Sequence, residues 1–374
     1  MRPYHKGYDN AMIDACAFHE WPATAALRPY LPRGYADILD DNVPIRSPRR
    51  YHDPLGALDP SATSLDAGDL CSRLLDGCAL DRVVLAYEDG MYSAIHSTFY
   101  IAGAVAQAAN DWTIEEWLPR DPRLHGLVLV ASAQPEAAAA EIRRAGAHDR
   151  MVGVAMTTNP AGMSLGHPVY HPIYAAAEEM GLPIVLPAAT AGAMDYREPI
   201  VVGGKPSTYT EWQALAWQSQ AVTMTSLITQ GVFDAYPGVR VLIVGCGALW
   251  IPGHLGRMDY WARMVPSDAP WLDRLPSEYF SEHFRVGTWS LEMPSSGPRA
   301  ELVRQALETI PNVDEILMYA SGYPRRTWQR PDAAAELLPS EWLPRIQHDN
   351  AATFFRWPET AADRTAPAAA GTVL

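Results

Sequence analysis

Asp14, Cys16 and Phe18 stand two residues apart in the run Met12-Ile13-Asp14-Ala15-Cys16-Ala17-Phe18. If that run is extended, alternate side chains share a face, so the three line one wall together. Asp14 would then serve as a general acid or base and Cys16 as a nucleophile or weak donor. The competing reading makes Asp14 a hydrogen-bonded structural carboxylate and Cys16 a small core residue. His19 and His96 are candidate proton-transfer groups, because imidazole titrates near working pH. The pair Arg325-Arg326 carries guanidinium forks that can grip a carboxylate or an enol, or can serve as a surface salt-bridge pair. Trp250, Trp289 and Tyr323 supply flat walls for an aromatic ligand, with ordinary packing as the alternative. Gly245-Cys246-Gly247 is a weak signal, since no dinucleotide fingerprint follows it.

These groups need elements to position them. Short apolar or β-branched runs recur along the chain, each followed by an Ala-rich stretch of helical spacing, which is the alternation of βα units on a parallel sheet. The runs are Ala11–Ala17, Asp81–Tyr87, Leu124–Ala131, Met151–Met156, Leu182–Leu186, Val239–Val244, Phe284–Ser290 and Glu315–Ala320. Eight strands predict an α/β fold closed into a (β/α)8 TIM-like barrel, whose active-site groups collect at the C-terminal ends of the strands. His96, Trp250, Trp289 and Arg325 all follow such ends. Two segments break the rhythm: 32–65, rich in Pro, Asp, Arg and Gly, and 190–210, which follows the fifth strand. Both are long for connectors and read as loop insertions or lids. A single barrel domain is expected over 1–357, with a low-complexity tail over 358–374.

Composition narrows the function classes. The chain has 374 residues, 48% of them hydrophobic, enough for a large buried core. Its net charge of −14, without any basic cluster, repels phosphate backbones and anionic lipid heads, so neither nucleic acid nor membrane is an expected partner. Four cysteines, Cys16, Cys71, Cys78 and Cys246, show no C-x-x-C spacing and read as reduced thiols. No apolar span of membrane length occurs, and a cytoplasmic location is expected.

The sequence resembles the amidohydrolase-related group that includes the aminocarboxymuconate-semialdehyde and resorcylate decarboxylases. The likeness rests on Ile13-Asp14 with Pro22, Leu27-Arg28-Pro29-Tyr30-Leu31, Asn110-Asp111-Trp112, Tyr170-His171-Pro172-Ile173-Tyr174, Trp250-Ile251-Pro252, Pro276-Ser277-Glu278-Tyr279, Tyr323-Pro324 and Asp349-Asn350-Ala351. It covers nearly the whole chain and implies a barrel of the metal-dependent hydrolase type. It also implies a metal at the mouth, held by an Asp/His-x-His pair on the first strand, a His closing the fifth, a His or Glu closing the sixth and an Asp after the eighth. Here those positions read Cys16 and Phe18, Pro187, Gly245 and Gly322. The family's Asp-Tyr-Pro-His has become Gly322-Tyr323-Pro324-Arg325.

Pro, Gly and Phe offer no side-chain donor, so a family-type metal site is not expected, and no cofactor is expected either. A displaced set of Cys16, His19 and Glu20 would need the strand to end or bulge, because a slip of one residue aims His19 away from the barrel axis. Two functions remain open. One is a metal-independent lyase, cyclase or hydrolase using Asp14, His19, His96 and Arg325 on a small carboxylated or carbonyl-rich, possibly aromatic substrate, with Cys16, Phe18, Trp250, Trp289 and Tyr323 forming its walls. The other is an inactive paralogue serving as a binder or as partner subunit to a metal-bearing relative. The resemblance implies a homodimer or such a heterodimer.

Overall fold

A computed structural model describes residues 12–38, 66–87, 90–93, 98–157, 163–187, 207–292, 297–325 and 327–357. His96, Arg326, the C-terminal segment 358–374 and most of the two long insertions lie outside the described residues.

Eight parallel strands follow one another around a single sheet in chain order. They are β1 (Met12–His19), β2 (Leu80–Tyr87), β3 (Leu124–Leu129), β4 (Met151–Ala155), β5 (Ile184–Pro187), β6 (Val241–Val244), β7 (Phe284–Gly287) and β8 (Leu317–Met318). The amides of Ala15, Phe18 and Gly322 donate to the carbonyls of Tyr319, Tyr323 and Cys16, which brings β8 back against β1 and closes the barrel. The principal helices are α1 (Phe99–Trp112), α2 (Pro135–Ala145), α3 (His171–Met180), α4 (Trp217–Thr229), α5 (Ile251–Met264), α6 (Pro276–His283) and α7 (Arg299–Leu307). Gly181 ends α3 in the left-handed region at φ +67°, where a residue without Cβ is least strained. Among the described residues no helix is long and apolar enough to cross a membrane, and none of the four cysteines is in a disulfide.

The register identifies the inner wall. His19 pairs with Tyr87 on β2; the His19 ring packs among Trp112 and Trp117 of the outer helical layer and the Tyr87 hydroxyl bonds to Asn110 and Thr113 there, so His19 and Tyr87 face the helices. Phe18 and its partner Ala86 therefore face the axis. Paired residues share a face, and the inward set continues as Val84 with His125, Leu127 with Gly153, Ala155 with Val185, Pro187 with Val244, and Gly287 with Met318. Packing agrees. A Cβ at Gly153 would lie 2.9 Å from the Leu127 side chain, and one at Gly287 3.0 Å from Ala320 and 3.1 Å from Val244, so the axis is filled by interdigitating side chains. Trp357 stands at the N-terminal end of the strands, against His125 at 4.9 Å and under the Arg82 guanidinium.

Candidate active site at the barrel mouth

The shared face expected for Asp14 and Phe18 does not hold. Asp14 pairs with Val83 and Phe18 with Ala86, an offset of four residues on β1 against three on β2, because the register shifts between Asp14 and Ala17. An extra residue in one strand reverses its alternation, so Asp14 shares the outer face with Val83 while Phe18 looks inward. The Asp14 carboxylate secures this bulge: Oδ1 accepts the amides of Cys16 at 3.0 Å and Ser321 at 2.9 Å. Burial pushes its pKa up to about 6, against the opposing pull of the hydrogen bonds from Ser321 and Cys16. The position ties β1 to the end of β8 and is remote from the axis.

His19 is likewise part of the wall. Its Nδ1 donates to the Ala86 carbonyl at 2.8 Å, which leaves Nε2 as acceptor for the Thr113 hydroxyl, also at 2.8 Å. The ring is fully buried, and burial pushes its pKa down to about 4. A neutral imidazole with both nitrogens engaged behind the sheet offers no proton path to the mouth. Tyr323 turns outward too: its hydroxyl donates to Asp69 at 2.9 Å and its ring meets Trp328 edge-on. Cys16 is buried at the bulge, where its carbonyl accepts from Gly322.

Phe18, Trp289 and Arg325 do come together. The rings of Phe18 and Trp289 meet edge to face with centroids 5.6 Å apart. The Arg325 guanidinium lies 4.5 Å from the Phe18 centroid and 5.1 Å from that of Trp289, within the reach of cation–π attraction. Trp289 is fixed from behind by its indole N–H, which donates to the Thr327 carbonyl at 3.1 Å. Trp250, after β6, packs elsewhere: it stacks on Trp217 at 5.6 Å and donates to the Cys246 carbonyl.

The donor set does not fit a divalent ion. Phe18, Pro187 and Gly322 carry no ligating atom, and among the described residues no group of three His, Cys, Asp or Glu side chains could hold one. Volume reinforces chemistry. A Cβ at Gly322 would lie 2.3 Å from the Trp289 ring, so the space an aspartate would need there is occupied by indole.

Three polar groups near the mouth escaped the reading of the sequence as catalytic candidates. Glu20 is buried, accepting the Trp21 amide at 3.0 Å and the Gly90 amide at 2.6 Å. Glu292, after β7, accepts the amides of Ala248 at 2.8 Å and Leu249 at 3.0 Å, with its carboxylate against Gly247. Thr157 follows β4 at the next inward position after Ala155. Its signal was present in the alternation Gly153, Ala155, Thr157, small residues on one face ending in a hydroxyl. A separate cleft of about 700 Å³ lies outside the barrel between α4 and α5, lined by Thr225, His254, Met258, Trp261 and Leu272 among others.

Comparison with known proteins agrees with this architecture. Gamma-resorcylate decarboxylase of Rhodococcus jostii (strain RHA1) is 28% identical over 253 residues, spanning 64% of this chain and 73% of that protein. The structure of 5-carboxyvanillate decarboxylase from Sphingomonas paucimobilis superposes with a TM-score of 0.65 at 21% identity, covering 92% of this chain and 99% of its own. An amidohydrolase from Mycobacterium avium subsp. paratuberculosis K-10 gives 0.71 at 16% identity, covering 93% and 100%. Residues 89–357 match the amidohydrolase family, and to that family this chain belongs.

Proposed function

We propose that this barrel is a lyase acting on a small aromatic carboxylate, and that it works without a divalent ion, with the Arg325 guanidinium supplying the positive charge at the mouth. The observation that carries the reading is the seat of Arg325 against Phe18 and Trp289. Two rings with a cation between them form a flat, apolar enclosure with one charged donor fork, which suits an aromatic anion. The named activities of the relatives, decarboxylation of resorcylate and carboxyvanillate, support the substrate class.

Loss of CO2 from such a ring has a simple balance. A proton adds to the ring carbon bearing the carboxylate, the bond to the carboxylate carbon breaks, its electron pair stays on the ring, and CO2 leaves. Before the bond breaks, protonation draws electron density from a ring oxygen. A fixed guanidinium at that enolic oxygen, or at the carboxylate, orients the ring in a water-poor enclosure and holds its charge. Glu20 and His96 are the candidates to move the proton.

The test is turnover of a hydroxylated benzoate, read as CO2 release, in excess EDTA. Turnover should persist, and loss of the proton-transfer residue should reduce it by roughly 10²–10⁴-fold. Activity that disappears with EDTA and returns with added manganese or zinc would overturn the metal-independent reading. An inert lone chain that co-purifies with a metal-bearing paralogue would assign it instead to a partner subunit.

A further inference from the structure

We infer that Thr157 is a specificity-determining residue, its hydroxyl reading a polar oxygen on the edge of the substrate opposite the one held by Arg325. The inference rests on the aromatic-acid reading of the mouth and adds a second recognition point to it.

Thr157 is only 5% exposed, and among the described residues its Oγ1 has no hydrogen-bond partner. Burying a hydroxyl unpaired is unfavourable, and valine would fill the same volume without that cost. Direction follows from register. The Met156 amide donates to the Val185 carbonyl, so the β4–β5 ladder continues past Ala155, and Thr157 falls on the same inward face as Gly153 and Ala155. Pro187, the inward residue at the end of the neighbouring β5, has a side chain with nothing to offer a hydroxyl.

Position in the ring gives the shape of the ligand. In a closed barrel of eight strands in sequential order, β4 stands diametrically opposite β8. Arg325 follows β8 and Thr157 follows β4, so one planar ligand lying across the mouth presents its anionic oxygen to the guanidinium and its far edge to the hydroxyl. On a six-membered ring that is a para relation. The chemical class is a ring acid with a hydroxyl or carbonyl oxygen across from the anionic group.

Titration with 4-hydroxybenzoate and with benzoate, in wild type and in Thr157→Val, Thr157→Ser and Arg325→Gln, tests this. Wild type should bind the hydroxylated acid about tenfold more tightly, the scale of one buried hydrogen bond. Thr157→Val should erase that preference while leaving benzoate affinity unchanged, Thr157→Ser should keep it, and Arg325→Gln should weaken both acids alike. Without ligand, Thr157→Val should melt no lower than wild type, because it removes an unsatisfied group. A preference that survives in Thr157→Val, or a clear drop in its melting temperature, overturns the role of Thr157 and leaves the aromatic-acid reading standing. Failure of wild type to bind either acid overturns both.

Discussion

His19 and Arg325 both stand among aromatic rings, one on the helix-facing side of β1 and the other at the mouth beyond β8. Around His19 the rings of Tyr87, Trp112 and Trp117 approach to between 4.6 and 5.7 Å, and both nitrogens are engaged inside the wall. Around Arg325 the rings of Phe18 and Trp289 are as close, but the side chain is half-buried and its guanidinium is a permanent cation. Aromatic enclosure therefore does not by itself mark a site. What differs is the state each enclosure stabilises: the first favours a neutral ring with its hydrogen bonds satisfied internally, and the second holds a charge.

The largest effect should come from breaking the first enclosure. His19→Ala leaves a cavity and strips partners from Thr113 and the Ala86 carbonyl, so about 4 kcal/mol of stability should disappear in denaturant titration. Ligand affinity of the folded fraction should be unchanged. A stable His19→Ala that has lost turnover would reverse the comparison.

The pH dependence sharpens it. His19 titrates near 6.5 when unfolded and near 4 when folded, so the unfolded chain binds the extra proton between those values. Its contribution is fully present above pH 6.5 and is lost as pH falls toward 4. The stability gap between wild type and His19→Gln should narrow by about 3 kcal/mol across that window on acidification. A gap that is flat from pH 7 to 4 would mean that the ring is not held neutral.

The second enclosure should respond in the opposite way. Arg325→Ala is expected to weaken an aromatic carboxylate by about 2 kcal/mol, while the melting temperature hardly moves. Strong destabilisation with intact binding would make Arg325 a second structural residue like His19. The smallest change is Asp14→Asn, because an amide oxygen can still accept from Cys16 and Ser321. Stability at acid pH, where the Asp14 carboxyl is protonated and as neutral as the amide, should shift by less than about 1 kcal/mol, with turnover at pH 7 retained. A folded but inactive Asp14→Asn would restore Asp14 to the chemistry.

The barrel was legible because its signals are local and repeated. The run Asp81–Tyr87 corresponds to β2 (Leu80–Tyr87), and Gln134–Ala145 to α2 (Pro135–Ala145). The eighth strand is short, Leu317–Met318, since Tyr319 to Tyr323 meet β1 through separate backbone bonds instead of a regular ladder. At the mouth, the positions of Trp289 and Arg325 after strand ends were legible, whereas their packing with Phe18 was not. The face of Asp14 was not legible either, because a bulge of one residue leaves no mark in composition or period, and only the pairing with Val83 reveals it. Saturation of His19 depended on Thr113, 94 residues away in sequence, a contact that no local pattern encodes.

The packing of Trp289 on Gly322 bears on how such a barrel changes over generations. Gly322 sits at φ +69° with the indole pressed against its Cα. Reverting that single position to aspartate would meet the ring and a strained backbone together, and would still find Phe18 and Pro187 where histidines stand in relatives. A one-step change to aspartate at position 322 is therefore not neutral, because it is sterically coupled to Trp289. Restoring an ion at this mouth would take several coordinated substitutions, displacement of the indole among them.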